Sequence, residues 1–240
     1  YHPSVTDSSH PNRATFQLAS GVAVYGGFAG SETQREARDP VNNATILEGS
    51  FFYVSSTVFS THVVTIASGA DKNTTVLDGF TIQLGKATTE DTEINGYGTG
   101  GGIYLVDGSA TLANLTLYNN SAANYGGGMY LDNSSSSLNN VTFSTNSAAT
   151  GGGLAVYSSG STLTLTSVTF NNNHALNYFG GGLFNYASSP VITTASFTGN
   201  EAEFQGGGMC NTANSSPSLS GVTFTDNTAR REGDGMANTS

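Results

Sequence analysis

Two acids, Asp107 and Asp132, stand four and three residues after the apolar residue that follows a glycine triplet. If those triplets mark equivalent points of a repeat, the two carboxylates lie near each other on neighbouring windings. Paired carboxylates are what glycoside hydrolysis requires. The other reading makes both of them turn residues, beside Gly108 and Asn133. From Gly100 to Ala229 the chain has no Lys or Arg, and its remaining acids there are Glu201, Glu203 and Asp226. A lyase acting on acidic sugars would lack the cations that stabilise its carboxylate-bearing intermediate. His174 fills the middle slot of an Asn-x-Ala motif whose other occupants are Ser121, Ser147, Glu201 and Thr228, so it reads as a variable exposed position. Glu90, Asp91 and Glu93 lack the spacing of a calcium loop and read as a solvated loop. Arg230 and Arg231 read as a solubilising edge. No catalytic, cofactor-binding or metal-binding residue is assigned, and the expectation is a protein that is not an enzyme.

Composition narrows the partners. Seventeen acids against seven bases leave a net charge of −10, which argues against nucleic acid or an anionic membrane surface. Charged residues make up only 10% of the chain, well below the roughly 25% of ordinary soluble domains. Ser, Thr, Asn and Gly carry the polarity instead. A lone Cys210 allows no internal disulfide and is expected as a small buried residue. No run approaches the ~20 apolar residues of a membrane span, so this segment is not expected to insert.

The elements that would position any site come from a repeat. Glycine triplets begin at Gly100, Gly126, Gly151, Gly180 and Gly206, and each is followed by Ile, Leu or Met. A Leu-x-x-Val-x-Phe step follows, ending at Leu117, Phe143, Phe170, Phe197 and Phe224. Three residues beyond stands asparagine every time: Asn120, Asn146, Asn173, Asn200 and Asn227. Two further on stands alanine, from Ala122 to Ala229. Apolar and polar residues alternate over short spans punctuated by Gly, Asn and Ser, which is strand periodicity. About 26 residues suit one coil of a parallel β-helix with three strands of three to five residues, stacked ~4.8 Å above the coil before.

In that arrangement Phe143, Phe170, Phe197 and Phe224 pile up inside, and the asparagines form a ladder at a corner. The glycine triplets supply a sharp corner that needs positive φ or close backbone approach. Residues flanking the inward phenylalanines face out: Thr116, Thr142, Thr169, Ser196 and Thr223 in one column, Tyr118, Ser144, Asn171, Thr198 and Thr225 in another. Residues 1–76 are less regular and are expected to form the first coils and part of a cap, and residues 77–240 the regular coils of one continuous solenoid. The predicted class is all-β, with about eight coils.

The Gly-Gly-Gly-[Ile/Leu/Met] and Phe-x-x-Asn elements resemble the repeats of chlamydial polymorphic outer-membrane proteins and related right-handed parallel β-helix surface proteins of bacteria. Phe16–Thr33 with Arg38-Asp39-Pro40, Asn43–Leu47 and Val76–Ile82 resemble the first coils of large secreted, surface-anchored β-helix proteins. The resemblance implies a right-handed solenoid, exported to the cell surface, structural or adhesive in role, and part of a longer polypeptide. Gly233-Asp-Gly235-Met236-Ala-Asn238 reads as a sixth, degraded triplet where a new turn begins. Expected partners are further copies of the chain, joined head to tail into a filament, or surface glycans. The alternatives are a carbohydrate-active enzyme and an ice- or glycan-binding module built on the threonine columns.

Overall fold

Short β-branched and aromatic runs broken by left-handed residues fold here as a parallel solenoid. The computed structural model describes residues 1–90, 96–158 and 162–239. Three parallel sheets of eight, ten and six strands run along it. A typical winding starts at a glycine corner, crosses the first sheet (Leu154–Tyr157), turns into the second (Thr164–Asn171), and closes on the third (His174–Ala175). Register is kept from winding to winding: Met129 pairs with Leu154, Leu154 with Leu183 and Leu183 with Met209. Among the described residues five windings have the complete glycine-led form, not the eight coils expected. The eight strands of the first sheet include Phe16–Leu18 and Val64–Ile66 from the irregular amino-terminal part, and Met236–Asn238.

The second sheet departs from the expected strand length. Its strands Thr111–Tyr118, Ser137–Ser144, Thr164–Asn171 and Val191–Thr198 are eight residues long. Each is bent by one residue in left-handed conformation: Asn114, Asn140, Ser167 and Thr194, at φ 49° to 56°. The bend explains the Leu-x-x-Val spacing. In a straight strand, residues three apart face opposite sides. Here the bend resets the alternation, so Leu138 and Val141 both point inward and are fully buried, as are Leu165 and Val168.

Inside, Phe143, Phe170, Phe197 and Phe224 stack with centroids 4.8, 4.5 and 4.8 Å apart, at interplanar angles no greater than 15°. The corner asparagines form the expected ladder. Asn146 Nδ2 donates to Asn173 Oδ1 at 3.0 Å and to the Leu117 carbonyl at 2.9 Å. Asn173 Oδ1 also accepts the Asn146 backbone N–H at 3.0 Å. The same set recurs at Asn173 with Asn200 and at Asn200 with Asn227. Each buried amide thus spends both its donors and its acceptor on neighbouring windings, which removes the penalty of burying it. Ala122, Ala148, Ala175 and Ala202 are buried where the third face narrows the interior.

The glycine corner answers both physical demands. Gly151 sits at φ +65°, a conformation L side chains avoid. At Gly153 an added Cβ would lie 2.6 Å from the Gly182 carbonyl oxygen, so backbone contact between windings leaves no room for a side chain.

The amino-terminal third continues the same sheets through more individual contacts. Ala23–Tyr25 pairs with Val76–Asp78 and Thr45–Glu48 with Phe80–Gln83. The division at residues 76 and 77 therefore falls inside a strand. Arg38 pairs with Asp78 and donates to the Gly26 carbonyl, tying down the loop that carries it. Ser50–Tyr53 and Ser56–Phe59 form an antiparallel hairpin outside the solenoid pattern. No described helix is long and apolar enough to cross a membrane.

Candidate binding face

The outer side of the first sheet carries a file of rings. Alternation turns the residues one and three places after the glycine-adjacent apolar residue outward. In this chain those places hold Tyr104, Tyr130, Tyr157 and Tyr186. With His62 at its head, the file stacks at centroid distances of 4.8, 5.9, 5.5 and 5.0 Å. It changes place once. Tyr130 is in register with Ala155, not with Tyr157. The small side chain of Ala155 leaves room for the ring of Tyr157 to lean over. Beneath the file, Ala155, Phe184, Cys210 and Ala237 form a second buried apolar cluster outside the solenoid interior. Cys210 is buried as expected, but under this outer cover, and burial pushes its thiol up to about 12.

Beside the file runs a groove of about 550 Å³. One wall is Tyr157, Phe184 and Tyr186; the other is Tyr125, Thr150, Tyr178 and Phe179, from the ridge before the glycine corner. Tyr125 meets Tyr157 edge-on at 5.1 Å, and Phe179 lies 6.0 Å from Phe184. At Tyr186 the file ends, because the next winding places Thr212 in register with it and Thr239 follows. Beyond Tyr186 the groove is lined by the small side chains of Thr212, Ala213 and Thr239. Every lining residue is uncharged. Such a surface suits a ligand with both apolar faces and hydroxyls.

The acids singled out by spacing lie on neighbouring windings, where the Asp107 backbone N–H donates to the Asp132 carbonyl at 3.1 Å. Asp107 occupies a turn at φ 53° and accepts a hydrogen bond from Asn133 Nδ2 at 2.8 Å. Asn133 holds the same left-handed turn one winding on, at φ 49°. Asp132 pairs in register with Val106 and accepts the Tyr130 hydroxyl at 3.4 Å. Burial, reinforced by the charge of Asp107, raises the Asp132 carboxyl above its ordinary value. Asp107 thus forms the turn, whereas Asp132 ends the strand Met129–Asp132 and leaves the turn to Asn133.

The threonine column Thr116, Thr142, Thr169, Ser196 and Thr223 stands in register on the second sheet. Its neighbour is interrupted by exposed Tyr118 and by Asn171. Glu90 lies within the described residues; Asp91 and Glu93 lie outside them. His174 is half-buried, not exposed, and its Nε2 is shielded from solvent 3.9 Å from Glu201 Oε2. His174, Glu201 and Glu203 present ligand-type atoms within 4.8 Å of one another.

Two features escaped the sequence reading. The file of tyrosines was legible as outward parity in the first strand, but its shift at Ala155 was not. A second asparagine ladder, Asn185 to Asn211 to Asn238, runs inside the first sheet with amide-to-amide bonds of 2.8 Å. It stops at Val156 of the preceding winding, and Asn185 Oδ1 has no hydrogen-bond partner. Its signal was the Asn two places after Leu183, Met209 and Met236.

A family model described as a right-handed beta helix region matches residues 64–229. No curated protein and no solved structure matches the chain.

Proposed function

Since the chain belongs to the right-handed β-helix family, we propose that it serves outside the cell as a rigid, non-catalytic adhesive rod whose aromatic face holds neutral glycans. The observation that carries this reading is the uncharged groove of about 550 Å³ alongside the tyrosine file. Pyranose rings offer weakly positive C–H faces that pack on the negative faces of aromatic rings, and their hydroxyls match Tyr and Thr at the rim. The groove crosses four windings, on the order of 15 Å at the strand spacing, which accommodates a short oligosaccharide. Low charge on the regular windings favours uncharged over acidic sugars. Extracellular placement is supported by the resemblance of the repeat to bacterial surface proteins.

Glycan-array screening followed by calorimetric titration tests the reading. Neutral oligosaccharides should be retained, and Tyr186→Ala should abolish their binding while Tyr118→Ala, on another sheet, should not. Retention of no glycan, or wild-type affinity in Tyr186→Ala, rejects it. Release of reducing ends would instead favour the enzyme, and thermal hysteresis the ice-binding module. A second reading, head-to-tail assembly into a filament, is favoured by the apolar hollow of about 200 Å³ at the first windings, lined by Phe16, Leu18, Val24 and Leu47. Strand edges there invite pairing with another copy. Electron microscopy distinguishes fibres from single particles.

A further inference from the structure

The third sheet departs from its repeat at two adjacent rungs. The slot after the ladder asparagine holds Ser121, Ser147 and Thr228 in three windings, and His174 and Glu201 in the two between. Parallel pairing puts Ser147, His174, Glu201 and Thr228 in register, so the two exceptions are direct neighbours. Ala202 points inward and is buried, which returns Glu203 to the same outer face as Glu201.

We propose that His174, Glu201 and Glu203 form a surface site for a divalent transition-metal ion, with Zn²⁺ as the fitting ligand. Their ligand-type atoms already lie within 4.8 Å of one another. His174 Nε2 is shut off from solvent, makes no hydrogen bond, and sits 3.9 Å from Glu201 Oε2. An imidazole nitrogen held beside a carboxylate without a hydrogen bond is an arrangement that a cation between them completes. Zn²⁺ takes His nitrogen and carboxylate oxygen at about 2.0–2.2 Å. Closing from the present spacing calls for side-chain rotation, for which Glu201 has room because its side chain is 55% exposed. Arg230 Nε holds one oxygen of Glu203, Oε2, at 3.2 Å, which orients the carboxylate and leaves its other oxygen for the ion. Ca²⁺ and Mg²⁺ call for larger or all-oxygen shells, so the histidine selects against them. Three protein ligands leave a further coordination position open to water or to a group on a partner surface.

The full chain, treated with chelator and then titrated calorimetrically with Zn²⁺ alone, should bind one ion at this site. His174→Ser and Glu201→Ser install the residue that Ser121 and Ser147 carry, so the fold should be retained, as circular dichroism would verify. Each should weaken Zn²⁺ binding at least tenfold. Co²⁺ should give a low-symmetry visible spectrum that disappears in His174→Ser. Undiminished Zn²⁺ binding in His174→Ser would place the ion elsewhere, for example at His10 and Asp7, which lie 3.0 Å apart, and would overturn the proposal. Absence of saturable binding, or equal displacement by Ca²⁺, would overturn it too.

Discussion

Two stacks of rings run along this solenoid, one inside and one outside. The inner one, Phe143 to Phe224, is in strict register, and three of its four rings are fully buried. The outer one, His62 to Tyr186, spreads from 4.8 to 5.9 Å, tilts by up to 40° between neighbours and changes column at Ala155. Inside, the rings are held between equivalent windings in register, so nearly one stacking geometry repeats. Outside, rings need satisfy only one side, so sequence variation is tolerated and leaves a groove. The comparison separates what holds the windings together from what they offer to a ligand.

Phe170→Ala should test the inner stack most severely. Removing a ring enclosed by Phe143 and Phe197 should cost about 3–5 kcal/mol, measured as a shift of the urea midpoint. Asn173→Ala should come next. It strips partners from the Asn146 backbone N–H, the Asn146 amide and the Phe143 carbonyl. With unpaired buried groups costing about 1–3 kcal/mol each, the loss should reach at least about 3 kcal/mol. A smaller loss for either would break the distinction between the two stacks.

Cys210 lies beneath the outer rings. Its buried, proton-holding thiol should resist a thiol reagent at pH 8 in the folded protein and react at once in denaturant. Rapid labelling of the native chain would mean that the outer cover is loose.

Asp132, held beside Tyr130, gives a pH test of the outer file. Its folded carboxyl titrates above the unfolded value of 3.8, chiefly because burial disfavours the charge. The stability it contributes is fully present below 3.8 and is lost as pH rises through the elevated folded value. Asp132→Asn should therefore raise the melting temperature at pH 7 and leave it nearly unchanged near pH 3. The smallest effect on folding should come from Tyr186→Ala, below about 1 kcal/mol for a ring exposed on one side, even as glycan binding is lost.

Much of the scaffold is legible in the sequence. Repetition of Phe, Asn, Ala and Gly at fixed offsets identifies a stacked coil, since identical residues recur only where identical surroundings recur. The bend at Asn140 and Ser167 was not legible as such, because left-handed conformation belongs to backbone geometry and several residue types adopt it. Its trace was the odd Leu-x-x-Val interval. Nearness of Asp107 and Asp132 on neighbouring windings was legible from their offsets; their rungs were not, since Asp132 is in register with Val106 and Asn133 bonds Asp107.

Sequence periodicity thus determined the solenoid, its inner phenylalanine stack, its corner ladder and its glycine turn, all consequences of backbone pairing between equal windings. Tertiary structure alone decided which departures from the repeat meet. Tyr157 leans over Ala155, Tyr186 ends its file at Thr212, and His174 faces Glu201 because side-chain direction across rungs, unlike spacing along the chain, depends on the size and orientation of each neighbour.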